Sequence, residues 1–233
     1  MNVAIIIAGG VGARTGQHVP KQFINVLDKP IIVYTLEQFQ ASEEIDAIEV
    51  VCLSGWEEIL KAYALQYGIA KLKWVVPGGG SSQESIFKGL TNLQDECTAD
   101  DVVVIHDGIR PMVEQRIIHS CIQVCKEKGN GITALPVYEQ IFKTEDGETT
   151  EEYVPREKLR ILQTPQAYKF GTLLKAYQEA FEKQIGIHAS SYANTLMTDL
   201  GNELYFAEGS TKNIKITTGD DIEMFKAMLL ARG

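Results

Sequence analysis

The chain has 233 residues, 45% of them hydrophobic, with 22 Lys and Arg against 31 Asp and Glu and a formal net charge of -9. That is enough apolar material for one large α/β domain or two small ones. The acidic balance argues against nucleic acid or an anionic membrane as partner, so an anionic ligand has to be met by cations placed locally.

No apolar stretch approaches the ~20 residues of a membrane-spanning helix. The first apolar run stops at Gly9 with no basic leader before it, so the expected setting is the cytoplasm. Cys52, Cys97, Cys121 and Cys125 form no Cys-x-x-Cys motif and are expected to be reduced thiols without structural zinc, Cys121 and Cys125 sharing one helix face.

Residues 3–7, Val-Ala-Ile-Ile-Ile, read as a buried first strand. They lead into Ala8-Gly9-Gly10-Val11-Gly12-Ala13-Arg14, a glycine-rich turn whose bare N–H groups suit phosphate oxygens. Arg14, and Lys21 in Pro20-Lys21-Gln22-Phe23, add positive charge where a polyphosphate would lie. The spacing is neither the dinucleotide fingerprint, because Thr15 stands where the third glycine belongs, nor a P-loop.

A helix at 31–41, a strand at 47–53, a helix at 56–66 and a strand at 72–76 follow. Pro77-Gly78-Gly79-Gly80 is a second glycine-rich turn, entering a helix at 82–93 capped by Ser81 or Ser82. Its peptide groups and Ser85 are candidates for reading the edge of a base. The β-branched run 102–106 leads into His106-Asp107-Gly108-Ile109-Arg110-Pro111. Asp107 there can hold Mg²⁺ against phosphate oxygens or form a structural pair with Arg110, and His106 reads as a packing residue. A helix at 114–128 and a strand at 131–136 complete the alternation.

Strands apolar on both faces, alternating with helices, predict a doubly wound, mostly parallel α/β sheet with the three post-strand loops on one edge. Residues 141–150 break the pattern as a polar hairpin around Asp146-Gly147, either a solvated hairpin or an arm, spanning about 138–156, that clasps a second subunit. Thr164, in Gln163-Thr164-Pro165-Gln166, is held extended by the proline after it. Lys215 lies in Asn213-Ile214-Lys215-Ile216-Thr217, an alternating stretch that reads as a strand. No repeat or second globular domain is evident, and there is no Ser-His-Asp or Cys-His set. Glycine loops, isolated cations and one Asp at strand ends point instead to phosphoryl or nucleotidyl transfer, in which positioning and charge stabilisation do most of the work.

In this order, the glycine-rich turn with Arg14, the Pro20-Lys21-Gln22-Phe23 element, the His106–Pro111 motif, the Gln163–Gln166 motif and the Lys215 stretch resemble the 2-C-methyl-D-erythritol 4-phosphate cytidylyltransferase family and the related ribitol-5-phosphate cytidylyltransferases, nearly end to end. The resemblance implies a Rossmann-like nucleotidyltransferase fold, a homodimer built through the arm, CTP as co-substrate and Mg²⁺. It implies that Ala8, Gly9, Gly10 and Gly12 cradle the triphosphate, and that Arg14 and Lys21 neutralise the transition state. Lys215 would hold the attacking or α-phosphate, and Asp107 would ligate Mg²⁺. Gly78, Gly79 and Ser85 would read cytosine, and Arg110, Thr164 and Arg156 would contact the polyol phosphate.

The chain departs from the family's pattern at Gln140, where a threonine is usual, at Ser191-Tyr192, where Thr-Asp is usual, and at Ser82, where arginine is frequent. These departures concern the acceptor and base pockets. Methylerythritol phosphate, for isoprenoid precursor synthesis, is the first acceptor expected, and D-ribitol 5-phosphate, for surface glycan synthesis, is the alternative. Two other classes, a non-catalytic nucleotide-binding module and a nicotinamide-dependent oxidoreductase, are opposed by the intact Arg14, Lys21, Asp107 and Lys215 and by the missing third glycine.

Overall fold

The structure is a computed structural model that describes residues 1–10, 19–188 and 192–231. Gly12, Arg14 and Ser191 therefore lie outside the described residues. In chain order the elements are β1 (Asn2–Ala8), a 3-10 turn (Lys21–Phe23), β2 (Asn25–Val26), β3 (Lys29–Pro30), α1 (Ile31–Ala41), β4 (Ala47–Cys52), α2 (Glu57–Gln66), β5 (Leu72–Pro77) and α3 (Ser82–Asn92). Then come β6 (Val102–Asp107), α4 (Gln115–Lys128), β7 (Asn130–Pro136), β8 (Ile141–Lys143), β9 (Glu152–Val154), a second 3-10 turn (Arg156–Lys158), β10 (Arg160–Lys169), α5 (Phe170–Lys183), α6 (Ala193–Asp199), β11 (Phe206–Glu208) and α7 (Gly219–Leu230).

Seven strands form one sheet in the order β11-β7-β10-β6-β1-β4-β5. The β6-β1-β4-β5 half is parallel throughout, and β11 runs parallel to β7. Only β10 is antiparallel to its neighbours, lying between β6 and β7. Period-two geometry sends alternate residues of β1 to opposite faces. Ala4, Ile6 and Ala8 pack with Ile32, Leu36 and Phe39 of α1, Leu60 of α2 and Ile117 and Cys121 of α4. Val3 and Ile5 pack with Ile86 and Leu90 of α3, Tyr177 of α5 and Leu196 of α6. The expected doubly wound sheet is thus observed, covered by helices on both faces.

The elements beyond residue 160 differ from the sequence reading. The sequence marks β10 only as a motif, because polar Gln163-Thr164 and Pro165 interrupt it, and its register with β7 shifts between Leu162 and Gln166 to absorb the residue that cannot donate. Residues 213–217 are not a strand. The Ile216 N–H donates to Ile109 O at 2.9 Å instead of joining a ladder. The alternation of Ile214 and Ile216 reflects packing in a third cluster with Ile31, Met112 and Phe225 of α7. Helix α7 starts at a capping box in which Thr218 and Asp221 satisfy each other's backbone N–H groups.

The predicted hairpin is present as β8 and β9, paired Ile141–Val154, Phe142–Tyr153 and Lys143–Glu152 in a sheet of their own. At its turn Asp146 Oδ1 accepts from Glu148 N at 2.9 Å and Thr149 N at 2.8 Å. Cys121 and Cys125 both face inward from α4, donating to Gly131 O at 3.0 Å and Gly129 O at 3.6 Å, and burial pushes their thiols up to about 12 and about 11. Among the described residues no helix is long and apolar enough to cross a membrane.

One buried carboxyl sits away from the strand ends. Glu49 on β4 is 0% exposed, facing α3 where Gly89 leaves room for it; a Cβ at Gly89 would lie 2.8 Å from Glu49 Oε2. Its Oε1 accepts from Asn92 Nδ2 at 2.7 Å and its Oε2 has no partner among the described residues. Desolvation pushes its pKa up to about 8. The folded protein therefore binds a proton that the unfolded chain releases above the ordinary Glu range, so stability falls as pH rises from about 4.5 to about 8. Glu49→Gln keeps the shape without the charge. In denaturant titrations at pH 5, 6.5 and 8, its stability relative to the parent is expected to improve steadily toward pH 8, at up to about 1.4 kcal/mol per pH unit. Parallel curves for the two proteins would refute the buried neutral carboxyl.

Candidate active site

The parallel strands end side by side on one edge, and the loops leaving them are stitched together. Gly108 N donates to Ile7 O at 2.9 Å, Leu53 N to Ala8 O at 3.1 Å and Gly78 N to Cys52 O at 2.7 Å. Two glycine turns meet here: a Cβ at Gly78 would stand 3.4 Å from Gly9 Cα and 3.2 Å from Cys52 O. Glycine at 78 lets the second turn lie directly against the first.

Gln22 fixes the first turn. Its buried side chain donates to Ala8 O at 2.8 Å and to Gly10 O at 3.0 Å, while Phe23 stacks on Trp56 with centroids 4.6 Å apart. These contacts hold the Lys21 backbone beside Ala8, Gly9 and Gly10. The positioning role of Gln22 was hidden in the sequence inside a motif read for its lysine.

The second turn is organised by the start of α3. Ser81 is the N-cap, accepting from Glu84 N at 3.1 Å. The Ser85 hydroxyl accepts from Gly79 N at 3.0 Å and donates to Ser81 O at 2.9 Å, and Glu84 accepts from Gly80 N at 2.7 Å. Ser85 is thus engaged within the loop formed by Gly78 and Gly79, below their outer face.

Asp107, at the end of β6, is the centre of the cleft. Arg110 Nε donates to its Oδ2 at 3.0 Å, and Lys215 Nζ lies 3.2 Å from each carboxylate oxygen. Thr164 Oγ1 accepts from Asp107 N at 3.1 Å, so the Gln163–Gln166 motif is bonded to the strand end. Burial alone would raise the Asp107 pKa, but the charges of Lys215 and Arg110 outweigh it and hold the carboxyl below the usual range. Arg110 is 8% exposed and its Nη1 also donates to Asn213 O at 2.8 Å. Asn213 in turn donates to Thr164 O at 2.7 Å. These bonds place Lys215 opposite Asp107 without a strand.

His106 is the packing residue its position suggested. It is fully buried, its Nε2 lies 3.1 Å from Arg110 O, its ring is 4.9 Å from that of Phe39, and burial lowers its pKa to about 4. The buried imidazole is therefore neutral at physiological pH.

Tyr192, at the N-cap of α6, completes the wall with its hydroxyl 3.3 Å from Lys215 Nζ. Its carbonyl accepts from Gln83 Nε2 at 3.1 Å, and Gln83 Oε1 accepts from Tyr177 Oη at 2.7 Å. Nothing in the sequence singled out Gln83, because one glutamine in the first turn of a helix carries no pattern. Gln140 and Arg156 lie elsewhere, on the arm, where they line a groove with Phe142 and Tyr153. Arg156 donates to Tyr138 O, and neither residue touches Asp107, Thr164 or Lys215.

The cleft therefore combines one carboxylate with two close cations, a local positive balance in an acidic chain. Among the described residues there is no group of three or more His, Cys, Asp or Glu that would cage a metal. Asp107 as a lone carboxylate suits a divalent cation whose remaining ligands are phosphate oxygens and water.

Touching glycine turns beside a mixed-charge cleft, at the carboxyl edge of a parallel sheet, are the framework of a nucleotidyltransferase. Residues 2–231 match the family described as IspD, 2-C-methyl-D-erythritol 4-phosphate cytidylyltransferase, and the chain belongs to that family. It is a CTP-dependent cytidylyltransferase. It is 51% identical over 229 residues to a ribitol-5-phosphate cytidylyltransferase of Lacticaseibacillus paracasei, with 98% of each chain covered. It is 36% identical over 234 residues to a 2-C-methyl-D-erythritol 4-phosphate cytidylyltransferase of Clostridium acetobutylicum, covering 98% of this chain and 97% of that one. Its fold matches the crystal structure of 4-diphosphocytidyl-2C-methyl-D-erythritol synthase from Anaerococcus prevotii with a TM-score of 0.83 at 25% identity, covering 98% and 96% of the two chains.

Proposed function

We propose that this cytidylyltransferase moves CMP from CTP onto D-ribitol 5-phosphate. The carrying observation is the ordering of identities: 51% to the relative named for ribitol 5-phosphate against 36% to the one named for methylerythritol phosphate. The methylerythritol acceptor, the first expectation from sequence, therefore takes second place. The departures at Gln140 and Ser191, acceptor-side positions in the family's pattern, are in keeping with that ordering.

In the reaction an oxygen of the acceptor phosphate bonds to the α-phosphorus of CTP. The bond from that phosphorus to the bridging oxygen of the β-phosphate breaks, and pyrophosphate leaves with the electron pair. The protein supplies position and charge. The turn at Ala8, Gly9 and Gly10 presents peptide N–H groups to the triphosphate, and Gly12 and Arg14, outside the described residues, carry the phosphate-binding roles that the family resemblance implies. Lys21 and Lys215 face the phosphates, where fixed cations stabilise the charge that builds on the equatorial and leaving oxygens. Asp107 would hold Mg²⁺, which when bound would supply positive charge against the phosphates. Gly78, Gly79 and Ser85 form the cytosine side, and Thr164, with Arg110 behind it, forms the polyol side.

The working form is a homodimer joined through the arm, in the cytoplasm. Tyr138, Phe142 and Tyr153 are 68%, 53% and 66% exposed on the arm, an apolar surface that a second copy would cover. Arg156 then reaches the acceptor phosphate across the interface, which accounts for its separation from Asp107 within one protomer. Four free cysteines are in keeping with a reducing compartment.

Pyrophosphate release from CTP and Mg²⁺ should give a kcat/KM at least about tenfold higher with D-ribitol 5-phosphate than with 2-C-methyl-D-erythritol 4-phosphate, the scale of discrimination a shaped pocket provides. The reverse preference overturns the acceptor. Lys21→Ala and Lys215→Ala should each lower turnover by about a hundredfold or more while melting cooperatively, and near-normal turnover would remove their assigned role. Phe142→Asp should shift sedimentation toward monomer and raise the acceptor KM with little change in the CTP KM. An unchanged sedimentation profile would eliminate the arm as the interface.

A further inference from the structure

Lys215 touches two partners at once. One is Asp107, 3.2 Å away, and the other is Tyr192, whose hydroxyl oxygen is 3.3 Å from Nζ and whose ring centre is 5.0 Å from it. The two cations on Asp107 are not equivalent. Arg110 is bonded to both Asp107 and Asn213 O and is nearly buried, whereas the Lys215 side chain is 25% exposed at the cleft. An incoming divalent cation meets a carboxylate already over-compensated by two positive charges. Lys215, on its flexible stem, is the one that can move aside.

Tyr192 is built to receive it. Its carbonyl accepts from Gln83 Nε2 at 3.1 Å and from Thr195 Oγ1 at 2.8 Å. Gln83 is fully buried and tied to Tyr177 Oη at 2.7 Å. The Tyr192 backbone is thus fixed from α3, α5 and α6, while its ring offers a π face and a hydroxyl acceptor to the ammonium.

We propose that Tyr192 is a positioning residue that keeps Lys215 in the cleft when the lysine leaves Asp107, freeing the carboxylate to ligate a cation while the ammonium stays turned toward the phosphates. The proposal rests on the reading of Asp107 as a metal ligand and Lys215 as a phosphate cation. It makes Tyr192 act on metal binding through the lysine, not through contact with the acceptor.

The test measures Mn²⁺ binding in the presence of CTP by electron paramagnetic resonance, alongside steady-state kinetics and thermal melting, on the parent and on Tyr192→Ala, Tyr192→Phe, Lys215→Ala, Tyr192→Ala/Lys215→Ala and Asp107→Asn. Tyr192→Ala should weaken Mn²⁺ binding several-fold and lower kcat with the acceptor KM unchanged, and Tyr192→Phe, which keeps the ring, should recover part of both. In the Lys215→Ala background the tyrosine change should no longer affect Mn²⁺ binding, because the competing ammonium is gone. Unchanged Mn²⁺ binding in Tyr192→Ala, an equal loss in both backgrounds, or a rise confined to the acceptor KM each overturns the proposal. If Asp107→Asn also binds Mn²⁺ normally, the metal assignment beneath it fails too; if Asp107→Asn is weakened and Tyr192→Ala is not, only the role of Tyr192 is lost.

Discussion

A guanidinium almost without solvent must be paired, and the way Arg110 is paired determines the layout of the site. It bridges the Asp107 carboxylate to the Asn213 carbonyl, and Asn213 in turn bonds the Thr164 carbonyl. Three segments far apart in sequence are thereby held at one point: the end of β6, the irregular stretch of β10 and the chain leading into α7. Lys215 reaches the cleft only because its segment is held by these bonds, as it has no ladder of its own. Breaking one partner would leave a buried charge uncompensated, a more costly event than never having had the pair.

The other half of the site depends on close backbone approach. The turn after β1 and the turn after β5 touch at Gly9 and Gly78, and Gln22 ties the first to the chain that carries Lys21. The second is shaped by the Ser81 cap and the Ser85 hydroxyl. The two touching glycine turns and the Asp107, Arg110 and Lys215 cluster thus come from separate structural devices meeting on one sheet edge. The net acidity of the chain sharpens the contrast, since the cations that matter are those the fold gathers there.

The parallel half of the sheet was readable because Val3-Ala4-Ile5-Ile6-Ile7 and Val102-Val103-Val104-Ile105 are continuous apolar runs, and because glycine or aspartate marks the ends of β1, β5 and β6. The hairpin was readable from Asp146-Gly147. The Lys215 stretch misled because isoleucines alternating in an extended segment look the same whether they pack on a helix or pair in a sheet; only the Ile216–Ile109 bond distinguishes them. Strand β10 escaped notice because a proline and two polar residues sit where a ladder was needed. Glu49 and Gln83 were invisible for a different reason: a polar residue within an apolar strand, or in the first turn of a helix, signals nothing until the partner that satisfies it is known. Lys215 and Arg110 stand out in the sequence as isolated cations, but the residues that fix the segments around the cleft, Gln22, Gln83 and Asn213, depend on contacts that local pattern does not encode.

The arm has a ladder separate from that of the main sheet. Strands β8 and β9 share three residue pairs, all largely exposed, and neither is hydrogen-bonded to the seven-stranded sheet. Local opening of such a unit requires no rupture of the core, so its free energy is set by its own few bonds and by whatever covers it. The protein is consequently modular in stability: the arm that bears Gln140 and Arg156 can open on its own while the seven-stranded sheet stays paired.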